Sequence, residues 1–223
     1  MTLKGLSIDL INSENIYTYE ELKIHQSKAI SLVDEDDQAD LLNALVRRFL
    51  AMGWISDAKA SASFIKESSN GSMYSKADAL ILVGWMLAKS GLLDQAFIFL
   101  QNAENIIDMY EGEWQQAELL ARISRILFDS GNLDLSIQLL EKATLIAKRG
   151  ELKAAQDSMD SSSVLGEIAE NMAIAGKTER SLQIAADINI LAMRYGTINS
   201  IDNISNKGIM PSRKEFLLLD HLS

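Results

Sequence analysis

A phosphate-binding motif is the first chemistry that this sequence suggests. Residues 175–178 read Ala-Gly-Lys-Thr, the ending of a Walker A motif, in which a lysine and a hydroxyl bind nucleotide phosphates and magnesium. The first glycine of that motif would stand where this chain has Asn171. The preceding residues follow a helical apolar pattern, whereas a phosphate loop follows a strand and leaves its backbone amides free. We therefore interpret Gly176 as the turn of a helical repeat.

Two other groups of residues have side chains that can bind metals. The acidic run 34–37 has the charge of a calcium loop, but it lacks the glycine and the closing glutamate of such a loop, so we expect a solvated turn between helices. His25 and His221 have no second histidine at helical spacing, which favours packing or surface roles. The sequence contains no Gly-x-Ser-x-Gly, His-Glu-x-x-His or dinucleotide-binding motif. We therefore predict no catalytic residues, no metal site and no cofactor.

Composition and charge exclude several classes of function. With 21 basic and 31 acidic residues the chain has a formal charge of −10, which repels nucleic-acid phosphates. No apolar run approaches the roughly 18 residues of a membrane span, and the first residues show no secretory signal. The absence of cysteine is compatible with a reducing cytoplasm. We therefore expect a cytoplasmic protein that binds neither nucleic acid nor membrane.

Four glycines divide the chain into similar pieces. Each ends an apolar-periodic stretch, and each is followed by an acidic residue three or four positions later and by a small residue five later. They are Gly53, Gly91, Gly131 and Gly176, at spacings of 38, 40 and 45 residues. Such spacings are typical of stacked helix-turn-helix units. Because the chain also has a single proline and many helix-forming residues, we predict an all-α repeat protein.

Capping and breaking residues mark the ends of the predicted helices. Thr18 and Glu21 have the spacing of a capping box for a first helix that reaches about Val33. Four helix pairs follow and meet at the four glycines, with loops at 68–72 and 111–113. The pairs are 39–52 with 54–65, 75–90 with 93–110, 114–129 with 133–148, and 151–175 with 178–195, where an interruption near 161–163 stays open.

The segment from Ala77 to Ala103 resembles a tetratricopeptide repeat. Gly84, seven positions before Gly91, and Ala96, five after it, match the small residues of the family pattern. Small side chains at these positions let two helices approach closely, while leucines fill the seam with the next repeat. The other three glycines have similar surroundings, although the family's tryptophan and proline are absent and every spacing exceeds 34 residues.

The resemblance implies a right-handed α-α superhelix, a TPR-like solenoid of antiparallel helix pairs. It covers residues 39–195, about four helix pairs. Residues 1–38 would then be an N-terminal capping segment with one helix, and residues 196–223 a polar C-terminal tail with a short amphipathic helix at 212–222. Terminal repeats need such covers for their apolar faces.

The resemblance also implies that the first helix of each pair lines a concave groove that binds a peptide. Cations and aromatic side chains on one face of an acidic chain favour an acidic or amphipathic partner. A plainer alternative is that the aromatic rings pack beneath a neighbouring helix and the bases form ordinary ion pairs. The candidate peptide-binding residues are Asn43, Arg47, Trp85, Lys89, Arg125 and Phe128.

The last residues are too apolar for a free terminus. Ile209, Met210, Phe216 and the leucines of 217–222 follow a stretch rich in asparagine and serine. We predict that this segment covers the last helix pair, or that it occupies the groove of its own or another copy, which would make a homo-oligomer. Covering the last pair is the favoured alternative, because a repeat array ends in an apolar face.

Three functions remain open from the sequence. The first is a non-enzymatic protein-protein interaction module, such as an adaptor, chaperone or regulator, that binds a peptide or helix of a partner. The second is a sensor that binds a small peptide or signalling molecule. The third is a helical enzyme whose site has no recognisable motif. The repeat pattern favours the first function.

Overall fold

The chain is helical throughout the part that the structure describes. The structure, a computed structural model, describes residues 17–153 and 159–208 together with Leu6 and Leu10. These residues contain ten helices of nine residues or more and no strand, so the predicted all-helical fold is confirmed for them. The helices are α1 Tyr19–Ile30, α2 Glu35–Ala51, α3 Ile55–Phe64, α4 Asn70–Lys89, α5 Leu93–Met109, α6 Glu113–Asp129, α7 Leu133–Lys153, α8 Met159–Ile174, α9 Thr178–Ala186 and α10 Leu191–Lys207.

The four predicted turn glycines have the same backbone conformation. Their φ angles lie between 75° and 84°, in the left-handed region that residues with a Cβ atom disfavour. The N–H of Gly91 donates to Ala88 O and that of Leu92 to Leu87 O, both at 2.9 Å. The other three turns have the same two bonds, which define a Schellman motif. The prediction that these glycines join helices in pairs is therefore confirmed.

Small residues meet beneath three of these turns, as the repeat pattern predicts, while the first turn has Val46 at the position of Gly84. A Cβ atom on Gly84 of α4 would lie 3.4 Å from Ala96 O of α5 and 2.8 Å from Leu100 Cδ2. Since real Cβ atoms do not approach other atoms so closely, only glycine fits here without a shift of its neighbours. The corresponding pairs of the next two turns are hydrogen-bonded: Ser124 Oγ with Ser136 Oγ at 3.0 Å, and Ser181 Oγ to Ala169 O at 2.6 Å.

Gly84→Leu is expected to lower the free energy of unfolding by about 1–3 kcal/mol, because the added side chain overlaps Leu100 in a packed interface. Gly196→Ala is the control. A Cβ atom at Gly196, inside α10, meets nothing within 4 Å, so this change is expected to be neutral or stabilising. Chemical denaturation measures both. Equal midpoints for Gly84→Leu and the unchanged protein would contradict the observed packing of α4 on α5.

The described residues form two compact units, the first ending at Tyr110. In the first unit α2 packs against α3 and α4, and α4 packs against α5. Helix α1 begins with the predicted capping box, in which Thr18 and Glu21 each bond the other's backbone N–H, and it ends at Ile30, three residues before the predicted end. Gln26 Nε2 of α1 donates to Ser61 Oγ of α3 at 2.7 Å. The N-terminal helix α1 therefore packs on the first helix pair.

The second unit begins at Glu111 and contains α6 to α10. Helix α6 packs against α7, and α8 packs against α9. Arg180 of α9 donates two hydrogen bonds to the carboxylate of Glu141 of α7, at 2.8 and 2.7 Å. These bonds lower the pKa of Glu141. They also connect α7 and α9, which are the second helices of two successive pairs.

Two helices begin earlier than the sequence predicts. Helix α2 begins at Glu35, because Asp34 caps it by accepting bonds from the N–H groups of the residues two and three later. The acidic run 34–37 is therefore the first turn of a helix, where the helix dipole favours negative charge, and not a turn between helices. Helix α4 begins at Asn70, inside the predicted loop 68–72, because Ser69 and Ser72 form a capping box without an acidic residue.

The region after α8 differs most from the predicted boundaries. Helix α8 is continuous through 161–163, and the predicted helix 178–195 is divided, with α9 ending at Ala186 and α10 beginning at Leu191. The predicted polar tail after Gly196 is instead helical as far as Lys207. Helix α10 packs against α8 and α9 and buries the side chains of Thr197, Ile201 and Ile204. It covers the last helix pair, while the apolar segment 209–222 lies outside the described residues.

Candidate functional site

The predicted groove residues of the first unit lie in a polar seam between α2 and α4. Asn43 Nδ2 donates to Asp78 Oδ2 at 2.8 Å, and Arg47 Nη2 donates to the same oxygen. Asp78, on α4, is only 1% exposed. Toward the start of both helices, Ser75 Oγ donates to Asp40 Oδ1 at 2.9 Å. The structure thus brings Asn43 and Arg47 together, but it binds both to a buried carboxylate of the same unit.

Trp85 and Lys89 lie one turn apart at the C-terminal end of α4. Trp85 is only 6% exposed, because it lies on the side of α4 that packs in the core. This burial agrees with the plainer alternative, in which the aromatic rings pack beneath a neighbouring helix, and not with a ring that faces a groove. Lys89 is exposed, and its Nζ lies 4.7 Å from the centroid of the Trp85 ring. This is cation–π geometry, so the lysine covers the part of the ring that reaches the surface.

Arg125 and Phe128 belong to the second unit. Arg125 Nε lies 3.4 Å from Asp129 Oδ1, one turn along α6, and its Nη1 donates to Asn171 Oδ1 of α8 at 3.3 Å. Phe128 is half-buried. Arg125 and Arg47 thus form the ordinary ion pairs that the plainer alternative predicts. The six candidate residues fall into two sets, one in each unit.

The phosphate-loop motif at Gly176 is a repeat turn, as predicted. The N–H groups of Gly176 and Lys177 donate to carbonyls of α8, both at 2.9 Å, and are not directed toward a phosphate. His25, on α1, is half-buried with its ring 5.9 Å from that of Tyr17, which supports a packing role. His221 lies outside the described residues. Within the described ranges there is no group of three side chains placed to hold a metal ion.

A buried lysine that sequence reasoning did not identify lies against the C-terminal end of α3. Lys76, on α4, is 9% exposed, and its Nζ donates to Ala62 O at 2.7 Å and to Ile65 O at 2.9 Å. A cation at a helix C-terminus satisfies free carbonyls and interacts favourably with the helix dipole. Burial lowers the pKa of Lys76. The signal in the sequence is a lysine three residues before the apolar run 79–88.

A cavity lies beside this lysine, between α3 and α5, with α4 as its floor. Its volume is about 450 Å³. Apolar side chains from α4 and α5 meet polar ones from α3 and α5 around it. The residues that line it include Lys59, Lys76, Leu80, Phe99, Ile106 and Met109. The predicted binding groove lies on the first helices of the pairs. A cavity between the second helices α3 and α5 was therefore not predicted.

Comparisons with known proteins give one distant structural match. The chain is similar to the crystal structure of Ton1535 from Thermococcus onnurineus NA1, with 14% sequence identity and a TM-score of 0.45. The match covers 90% of this chain and 55% of that one, so the chain spans about half the length of the protein it matches. No family model and no curated protein matches the chain. A match at this level indicates neither a family nor a function.

Proposed function

We propose that this chain is a TPR-like helical repeat module that binds a peptide or helix of a partner protein and has no enzymatic activity of its own. The observation that carries the proposal is the recurrence of one turn. Four glycines adopt the same left-handed conformation with the same two hydrogen bonds. Small residues meet beneath three of the four turns, at the positions that the tetratricopeptide pattern assigns to them. Repeats of this kind present extended binding surfaces.

The part of the predicted groove that best fits a partner is the C-terminal end of α4. Asn43 and Arg47 are bound to the buried Asp78 and serve the fold. Lys89 is exposed and lies against the buried Trp85 ring, so an acidic or amphipathic peptide would meet a cation held in place by that ring. In the second unit, Arg125 and Phe128 would contribute only if the partner displaced the contacts of Arg125 with Asp129 and Asn171.

The setting of this function is also a proposal. A cytoplasmic location fits a chain without cysteine. Among the described residues no helix has both the length and the apolar character needed to span a membrane. The net charge of −10 makes a nucleic-acid partner unfavourable.

Lys89→Glu is expected to weaken binding of the partner about tenfold at low salt, and less at high salt, because it reverses an exposed charge that steers association. Lys28→Glu is the control, since Lys28 is equally exposed in the first unit but lies on α1. The partner is first recovered by pull-down with the full chain and identified by mass spectrometry. Its affinity for both variants is then measured by titration over a salt series.

Each outcome of this experiment decides between the functions. If the partner bound the two variants with equal affinity, its binding site would not include Lys89 on α4. A small molecule retained through purification, with no stoichiometric protein, would contradict the interaction module and favour the sensor. Melting temperatures of both variants should equal that of the unchanged protein, because both lysines are exposed.

A further inference from the structure

The cavity between α3 and α5 is lined by residues of the first unit alone and runs along one side of α5. Its lining residues on α5 extend from Phe99 to Met109, which is about 15 Å of helix. Lys59 of α3 lies at the Phe99 end, because its ammonium is 5.5 Å from the centroid of that ring. Glu67 follows α3 and lies at the other end, near Lys76. The cavity is therefore elongated, with a cation at one end and a carboxylate at the other.

The floor of the cavity is apolar. Leu80 of α4 and Ile106 of α5 are 6% and 5% exposed, so a ligand that reaches them meets side chains that are almost closed to water. Phe99 is half-buried and Met109 is 56% exposed, and both line the same cavity. The volume of about 450 Å³ is within the range of small binding sites. An apolar side chain of a ligand would be covered between Phe99 and Met109.

Two asparagines of α5 add main-chain recognition to this floor. Asn102 and Asn105 both line the cavity and are exposed. Within the described part of the chain, neither carboxamide takes part in a hydrogen bond. A carboxamide can donate and accept at once, which matches the N–H and C=O groups of an extended peptide. A purely apolar ligand would leave both asparagines unused, so the pair favours a peptide.

The charged groups at the two ends differ in what they have left to bind. An ammonium has three donors, and Lys76 directs its bonds to three carbonyls at the end of α3, so it serves the fold. Lys59 donates one bond, at 2.9 Å, to the neutral amide of Gln95. Glu67 is exposed. Lys59 can therefore bind a carboxylate of a ligand, and Glu67 can bind a cation.

We propose that this cavity binds an extended peptide segment of about four residues, since an extended chain rises about 3.4 Å per residue. An acidic side chain of the peptide pairs with Lys59, and a basic one pairs with Glu67. The apolar side chain between them lies on Leu80 and Ile106, and the two asparagines bond the main chain. This site is additional to the proposed function, because it lies on α3 and α5 and does not involve Lys89.

A library of random heptapeptides displayed on phage tests this site without assuming a sequence. The library is selected on the immobilised full chain, and enriched peptides are synthesised and titrated. We expect them to carry an acidic and a basic residue about three positions apart, with an apolar residue between them. Asn102→Ala combined with Asn105→Ala is expected to weaken their binding at least about tenfold, because the bonds to the peptide main chain are lost.

Gln101→Ala is the matched control, since Gln101 is an exposed carboxamide of α5 that does not line the cavity. Its affinity for the peptides should equal that of the unchanged chain. These alanine changes should not lower the melting temperature, because alanine has the highest helix propensity. Lys59→Glu should also weaken binding about tenfold, and a peptide with lysine in place of its acidic residue should recover the loss.

The remaining outcomes would overturn the proposal. One is a selection that enriches no sequence. Another is an equal affinity of the enriched peptides for the unchanged chain and for either the asparagine variant or Lys59→Glu. Peptides that Lys89→Glu weakens and the asparagine variant does not would also overturn it, while supporting the binding site on α4. Failure of this inference is therefore distinguishable from failure of the proposed function.

Discussion

Arg47→Met is expected to lower the free energy of unfolding by about 3–5 kcal/mol, because it removes the guanidinium that is paired with the buried carboxylate of Asp78. Asp78 is 1% exposed, and Asn43 then remains as a neutral donor to it. Methionine keeps most of the length and apolar stem of arginine, so the loss reports mainly on charge. Urea denaturation followed by circular dichroism measures the change.

The double variant Arg47→Met with Asp78→Asn is the control for this prediction. Replacing both members of a buried ion pair by neutral groups is often close to neutral, so most of the lost stability should return. A single variant as stable as the unchanged protein would show that Asp78 is not buried against Arg47.

Lys76→Met is expected to lower the free energy of unfolding by about 2–4 kcal/mol. The ammonium of Lys76 donates to the carbonyls of Ala62 and Ile65 at the end of α3, and both bonds are lost in the variant. Ala62 O keeps the 3.3 Å bond from the N–H of Ile65. The variant should also open the end of α3, which faster amide hydrogen exchange near Ile65 would report. Denaturation and exchange are measured on the same preparation.

Lys66→Met is the matched control for Lys76→Met. Lys66 lies in the same region and pairs with Glu35 at 3.0 Å, but its side chain is 60% exposed. Exposed ion pairs contribute little, so the change should cost less than about 1 kcal/mol. If Lys66→Met and Lys76→Met lowered the free energy of unfolding equally, the hydrogen bonds from Lys76 to the carbonyls would not be what stabilises the end of α3.

The repeat was predictable from the sequence because its signals are local. A left-handed turn excludes most residues other than glycine, so Gly53 and its three equivalents stand out at regular spacing. The contact beneath the turn also follows from local geometry. Gly84 faces Ala96 because both lie at fixed distances from Gly91 along antiparallel helices. Neither feature depends on distant parts of the chain.

Helix starts and the helix after α9 were harder to predict because their signals are weak or nonlocal. Ser69 and Ser72 cap α4 with two hydroxyls, whereas the usual signature has an acidic residue at the second position. Helix α10 looks polar in sequence, and it is held by the few side chains that it buries against α8 and α9, among them Ile201. Such contacts join different helices, so they can be identified only from the three-dimensional arrangement of the helix pairs.

The helical spacing of the candidate residues was predictable from the sequence, but their partners were not. Helical spacing placed Asn43 and Arg47 on one face of α2, and the structure brings them together. The sequence did not show that Asp78 of α4 meets them, since partners across a helix interface depend on register between pairs. For the same reason the sequence left the burial of Trp85 as one of two alternatives.

The most direct test of the proposed function is a lysine footprint of the full chain with and without its recovered partner. Acetylation rates are read by mass spectrometry for Lys89 on α4 and Lys28 on α1, which are both exposed. Our account predicts that the bound partner slows acetylation of Lys89 several-fold and leaves Lys28 unchanged. Unchanged Lys89, with slower reaction of Lys59 on α3, would contradict it and place the partner on the second helices.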